Sequence, residues 1–166
     1  MAKVKQIEYP DWAIFEAARL ANPQKDRGRS TSNVYSDMAK RWLNMYGGAG
    51  RRVNVTGIFD KDKGVYRKSG MKRGFEDVDG ILPINLGLSS GAKVGLKVAI
   101  EVKVGKDKQS PEQLEREKEV NSAGGVYVFF KTPEQFVCDI HQLVYSRFGV
   151  ILNPAASTFL GTGLQP

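Results

Sequence analysis

Apolar positions recur at helical spacing twice near the start of the chain. Over residues 9–21, Trp12, Phe15 and Arg19 follow Asp11, a candidate N-cap, and Asn22-Pro23 ends the run. Residues 24–32 are polar and read as a linker. Then Tyr35, Met38, Ala39, Trp42, Leu43 and Tyr46 repeat every three or four residues, which predicts an amphipathic helix closed by Gly47-Gly48. From Arg52 the period becomes two. Val53, Val55 and Phe59 lead to a turn over residues 60–64 and a returning strand over 65–68, a β-hairpin expected to hold Phe59 and Tyr66 in the core. Residues 77–82 and 94–104 predict two more strands, paired antiparallel, separated by a Gly-, Ser- and Asn-rich stretch over 83–91. Ser110-Pro111-Glu112-Gln113 has the spacing of a capping box and predicts a helix to Ala123. After Gly124-Gly125 comes an apolar strand over 126–130, and Thr132-Pro133-Glu134-Gln135 repeats the cap before a last helix to about Arg147. The expected order is ααββββαβα, an α/β (α+β) chain. Residues 1–30 form its N-terminal helix and linker, 31–147 its main domain, and 148–166 a Gly- and Pro-rich tail anchored only by Phe159 and Leu160.

At 166 residues, with 41% apolar, the chain suits one buried core. Charge adds a partner class. Twenty-five basic against 18 acidic residues leave +7 and a pI near 9.5, which favours a polyanion, nucleic acid first. Residues 51–73 hold eight basic side chains against Asp60 and Asp62, so this segment carries +6 of the +7 and is the expected phosphate-contacting surface. No stretch reaches the ~20 apolar residues of a membrane span and the N-terminus has no signal-peptide pattern, so a soluble, intracellular (cytoplasmic) protein without membrane contact is expected. The single Cys138 and single His141 exclude an internal disulfide, a cysteine-based zinc cage and most histidine-centred chemistry, and His141 is read as a packing residue.

Carboxylates supply the remaining chemistry. Along residues 98–104 alternation places Val98, Ile100, Val102 and Val104 on one face, and Glu101 and Lys103 side by side on the other. Asp77 and Asp79, also two apart, share a face of the preceding strand and can approach Glu101 across a hairpin. Three such carboxylates repel one another unless a divalent cation neutralises them, and oxygen ligands suit magnesium or manganese. The plainer alternative is a salt-bridged edge strand.

Over roughly residues 52–136 the sequence resembles the VRR-NUC family, a branch of the PD-(D/E)xK nucleases. Gly74, Asp77 and Gly80 match its glycine-x-x-aspartate-x-x-glycine element, and Glu101 with Lys103 its glutamate-x-lysine element. Gly105, Ser110 to Gln113, Gly124-Gly125 and Arg52-Val53-Asn54 match further segments in order. The resemblance implies a restriction-endonuclease-like core, a central mixed β-sheet flanked by helices, within a nuclease domain over 31–147. It implies that Asp77, Glu101 and the main-chain carbonyl of Val102 bind Mg2+ or Mn2+, with Asp79 a further candidate, that Lys103 orients or activates the attacking water, and that Gln113 supports the site. The cap alone accounts for Gln113 and for its copy Gln135, so a catalytic part for Gln113 comes from the resemblance. Two positions depart from the family: Glu76 stands where proline or serine is common, and Asp79 where an apolar residue is usual. For the family's acidic residue on the preceding helix the aligned region offers Asn33 or Asp37 rather than a glutamate, with Asp37 the weak counterpart.

The implied activity is metal-dependent hydrolysis of DNA phosphodiester bonds, selective for branched DNA such as a Holliday junction, by a homodimer that needs no small-molecule cofactor. Arg51, Arg52, Asn54, Arg67, Lys68, Lys72 and Arg73 are the expected DNA contacts, and Trp12 with Phe15, or the tail, the expected dimer contact. Flap or nicking endonucleases are the nearest alternatives within the enzyme class. A non-catalytic basic nucleic-acid-binding module is the alternative outside it.

Overall fold

The computed structural model describes residues 11–22, 28–53, 58–67, 74–85 and 93–152. Helices α1 (Asp11–Leu20) and α2 (Thr31–Met45) come first, then strands β1 (Ala49–Arg52), β2 (Ile58–Asp60), β3 (Val65–Arg67), β4 (Val78–Asn85) and β5 (Lys93–Val102). Helix α3 (Pro111–Ser122), strand β6 (Val126–Phe130) and helix α4 (Pro133–Phe148) complete the order. This is an α+β fold with one more strand before α3 than the pattern predicts. The stretch expected as a single hairpin arm from Arg52 to Phe59 divides: β1 joins the main sheet, and only β2 pairs with β3, as a separate two-stranded sheet.

The main sheet has the order β1-β4-β5-β6, antiparallel across β1–β4 and β4–β5 and parallel across β5–β6. The β4–β5 pairing is the expected antiparallel one. Even-numbered residues of the sheet, Val78, Leu82 and Ile84 on β4, Leu96, Val98, Ile100 and Val102 on β5, and Val126, Val128 and Phe130 on β6, are buried in one core. Against them lie Val34, Met38, Trp42 and Leu43 of α2, Phe136, Val137, Ile140 and Val144 of α4, and Ala13 and Ala17 of α1. Trp42 sits at the centre, edge-on to Phe136 at 5.1 Å. Gly80 permits α2 to lie this close to the sheet, since a Cβ there would stand 2.5 Å from Leu43 Cδ1. Ala99, Val120 and Tyr127 form a smaller cluster with Phe129, where α3 packs on β6.

Several boundaries move for identifiable reasons. Helix α2 begins at Thr31, two residues inside the expected linker, because Ser30 Oγ accepts the Asn33 N–H at 3.4 Å and caps a first turn that looks polar enough for a linker. Strand β4 continues through Pro83 to Asn85, since β1 pairs only as far as Ile81 and proline is tolerated where β4 has a neighbour on one side. The turn of the small hairpin is tied by Asp60 Oδ1, which accepts the Asp62 and Lys63 N–H groups. Phe59 is 47% exposed, not in the core as expected; the Tyr66 side chain lies outside the described residues. The basic run is likewise divided, with Arg51 and Arg52 on the main sheet and Lys61 and Lys63 on the hairpin turn. Among the described residues no helix is long and apolar enough to cross a membrane.

Candidate active site

Three pieces of chain meet at the end of β5. The β4–β5 register pairs Val78 with Ile100, which sets Asp77 beside Glu101 one step further on. Asp77 is fixed through both backbone and side chain. Its carbonyl accepts the Val53 N–H at 2.9 Å, and its Oδ2 accepts the Val102 N–H at 2.9 Å. Glu101 is 2% exposed. Lys103 Nζ lies 2.7 Å from its Oε1, and the Gln113 amide donates to the same oxygen. Oε2 is buried with no hydrogen-bond partner among the described residues. Burial and, next, the Asp77 charge push the Glu101 carboxyl up to about 7, against the opposing pull of Lys103 and Gln113.

Gln113 reaches Glu101 because the capping box aims it. Ser110 Oγ accepts the Gln113 N–H, while Gln113 Oε1 accepts the Ser110 N–H at 2.9 Å, leaving the amide NH2 to point at the carboxylate. The second copy of the motif has another destination. Gln135 Oε1 accepts from the Lys131 N–H, and its amide donates to Asp139 and to the Phe129 carbonyl. The expected repeat is thus only partial: Thr132 caps α4, but the Gln135 side chain ties the helix to the end of β6 instead of closing a capping box, whereas Gln113 closes the box of α3 and also reaches the carboxylate.

Asp79 shares the Asp77 face but does not join the cluster. Lys97 and Arg51 take it, Arg51 at 2.9 Å, and although burial works to raise its pKa, these two cations hold the carboxyl below the usual range. The expected three-carboxylate cluster is thus corrected to a pair, because Asp79 lies opposite Ala99, with Lys97 two residues to one side and Glu101 two to the other, and its carboxylate is taken by Lys97 and by Arg51 of β1. No group of three His, Cys, Asp or Glu side chains among the described residues is placed to hold a metal ion. The available donors are Asp77, Glu101 and the Val102 backbone. Two carboxylates and a carbonyl suit a magnesium-like ion, which keeps several waters and completes its shell with substrate phosphate. The bare, buried Glu101 Oε2 fits such an ion, since a carboxylate oxygen held out of water needs a donor or a cation.

Glu76, noted in the sequence only as a departure from the family, proves to be a buried ion-pair residue. It is 1% exposed and bonded to Lys97 Nζ at 3.0 Å and Arg116 Nε at 3.1 Å. Burial would raise its pKa, but Arg116 and Lys97 outweigh this and keep it below the usual value. Lys97 has the parity of Glu101 on β5, a signal visible in the sequence; nothing local marks Arg116. Asp37 lies on α2 with Arg29 at 2.6 Å and Lys40 at 3.9 Å, and is not among the side chains that meet at Glu101. Arg51 is exposed at the edge strand, and Arg52 donates to Asn33 Oδ1 at 2.6 Å. Asn54, Lys68, Lys72 and Arg73 lie outside the described residues, as do the side chains of Arg67, Trp12 and Phe15. His141 is a buried packing residue, as expected, with Nε2 3.3 Å from the Tyr46 hydroxyl, its ring against Trp42, and its pKa pushed down to about 4 by burial.

Fold and site together define an α+β protein with a buried glutamate beside a half-buried aspartate, a lysine and a glutamine at one end of a mixed sheet. Comparisons with protein-family models, curated proteins and solved structures find no match.

Proposed function

We propose that the protein is a divalent-metal-dependent DNA endonuclease with a restriction-endonuclease-like core, and that its preferred substrate is branched DNA. The observation that carries this reading is Glu101: buried beside Asp77, bonded on one oxygen by Lys103 and Gln113, bare on the other. A carboxylate oxygen held out of water calls for a donor or a cation, and among the described residues no donor reaches this one. Asp77, Glu101 and the Val102 carbonyl would hold Mg2+ or Mn2+. The ion supplies charge neutralisation at the scissile phosphodiester and lowers the cost of forming hydroxide near neutral pH. Lys103, 16% exposed at its side chain, sits where its ammonium can orient the attacking water and offset charge growing on phosphate oxygens. Gln113 fixes the Glu101 rotamer so that the carboxylate is aimed before substrate arrives. Arg51 and Arg52, on the strand that pairs with β4, offer phosphate contacts on the sheet that carries Asp77.

The preference for branched DNA and action as a homodimer rest on the resemblance to VRR-NUC nucleases. A second reading, a non-catalytic nucleic-acid-binding module, has one observation in its favour: Glu76, Asp79, Lys97, Arg51 and Arg116 are matched ion pairs.

Labelled four-way junction, flap, nicked and linear duplex DNA, incubated with magnesium, manganese or EDTA, separate the two. The proposal expects metal-dependent cuts, paired across the junction and absent with Glu101→Gln. Binding without cleavage, unchanged by EDTA, would leave the binding module.

A further inference from the structure

Glu76 and Arg116 join the two chain segments that carry Asp77 and Gln113, and they do so beside the carboxylate pair rather than at a remote surface. Three contacts fasten the loop before β4 to the start of α3. The Arg116 guanidinium bonds both oxygens of Glu76, at 3.1 and 3.4 Å. It also lies over the Phe75 ring, 4.5 Å from the centroid. Gly74, at φ +90°, packs so tightly on the first turn of α3 that a Cβ would stand 2.7 Å from the Glu112 backbone. Asp77 follows Glu76 directly, and Gln113 sits one turn before Arg116 on the same helix. The loop presents Asp77 to the Val102 N–H while the helix presents Gln113 to Glu101, so the relative position of these two groups is set where Glu76 meets Arg116.

From this geometry we infer that Glu76 and Arg116 are positioning residues for the cation site, a clamp that holds the Asp77 loop and the Gln113 helix at a fixed separation around Glu101. The inference rests on the function proposed above. Lys97 completes the burial of Glu76 from the β5 side and ties the clamp to Asp79. A salt bridge that only stabilised α3 could occupy any exposed turn, whereas this one buries a carboxylate to 1% exposure next to the acidic pair.

Charge and position give opposite predictions for Arg116. Replacing it with Met removes a positive charge, which by its field alone would tighten binding of a cation; displacement of the loop and helix would weaken it. Mn2+ titrations followed calorimetrically on the purified full chain distinguish the two, at a temperature where circular dichroism shows every variant folded. The expected result is that wild type binds Mn2+, that Arg116→Met and Glu76→Gln each bind it about 10- to 100-fold more weakly, and that Glu119→Gln, which removes the exposed partner of Arg116, binds like wild type. Arg116→Lys keeps the charge and loses the two-pronged contact, so it tests the clamp even if the other variants do not fold; it should weaken Mn2+ severalfold. Wild-type affinity in Arg116→Met or Arg116→Lys would overturn the clamp while leaving the cation site intact. Absence of Mn2+ binding by wild type would overturn both.

Discussion

Glu101 carries an energetic cost in the cation-free protein, and the cost has a pH signature. Its carboxyl titrates at about 7 in the fold against an ordinary 4.5, so between these values the folded chain keeps a proton that the unfolded chain releases. Stability contributed by that proton is present below pH 4.5 and is lost as the pH rises through 7. Glu101→Gln mimics the protonated form. Urea unfolding without divalent ions should therefore show the variant gaining on wild type by on the order of 1–3 kcal/mol between pH 5 and pH 8, while cleavage is abolished. His141 has the opposite sign. Burial depresses its pKa from 6.5 to about 4, so its contribution is intact above 6.5 and is lost as the pH falls toward 4. Thermal midpoints across this window should decline less steeply in His141→Gln than in wild type.

At the scale of elements, the two glutamines at matching helix positions form a paired test. Gln113→Ala and Gln135→Ala should each cost about 1 kcal/mol in denaturant unfolding, but only Gln113→Ala should reduce metal-dependent cleavage, by tenfold or more, because only Gln113 reaches Glu101. The helices begin where the sequence says they do when the signal is local: Ser110 and Thr132 cap α3 and α4 as read, and β6 spans the predicted 126–130. Alternation along β5 likewise put Glu101 and Lys103 on one face, as the 2.7 Å contact between them requires. What the sequence hid depends on partners far along the chain. The separation of β1 from β2 follows from the pairing of Arg51 with Asp79, 28 residues on, and no spacing rule announces it. Asp79 looked like a third metal ligand because its own strand places it correctly; Lys97 and Arg51, on the two neighbouring strands, decide otherwise. Glu76 stood out in the sequence only as a departure from the family, and its burial was hidden for the same reason, since it depends on Arg116 in a helix 40 residues away.

Over the whole molecule, one mixed sheet holds Glu101 on its central strand β5, Asp77 just ahead of β4, and two exposed arginines on the edge strand β1. If that edge grips a phosphate backbone, Arg51→Ala should weaken DNA binding to a similar degree on every sequence and lower the slope of log affinity against log salt by about 1, measured in EDTA so that cleavage does not intervene. The central claim is that Asp77 and Glu101 hold a divalent cation, and it is tested most directly by the thermal midpoint in the presence of Mn2+. For wild type, an Mn2+ concentration a hundredfold above Kd should raise the midpoint by roughly 5–10 °C, and EDTA should reverse the shift, while Asp77→Asn combined with Glu101→Gln should not respond. An unmoved wild-type midpoint, or an equal rise in the double variant, would contradict the account.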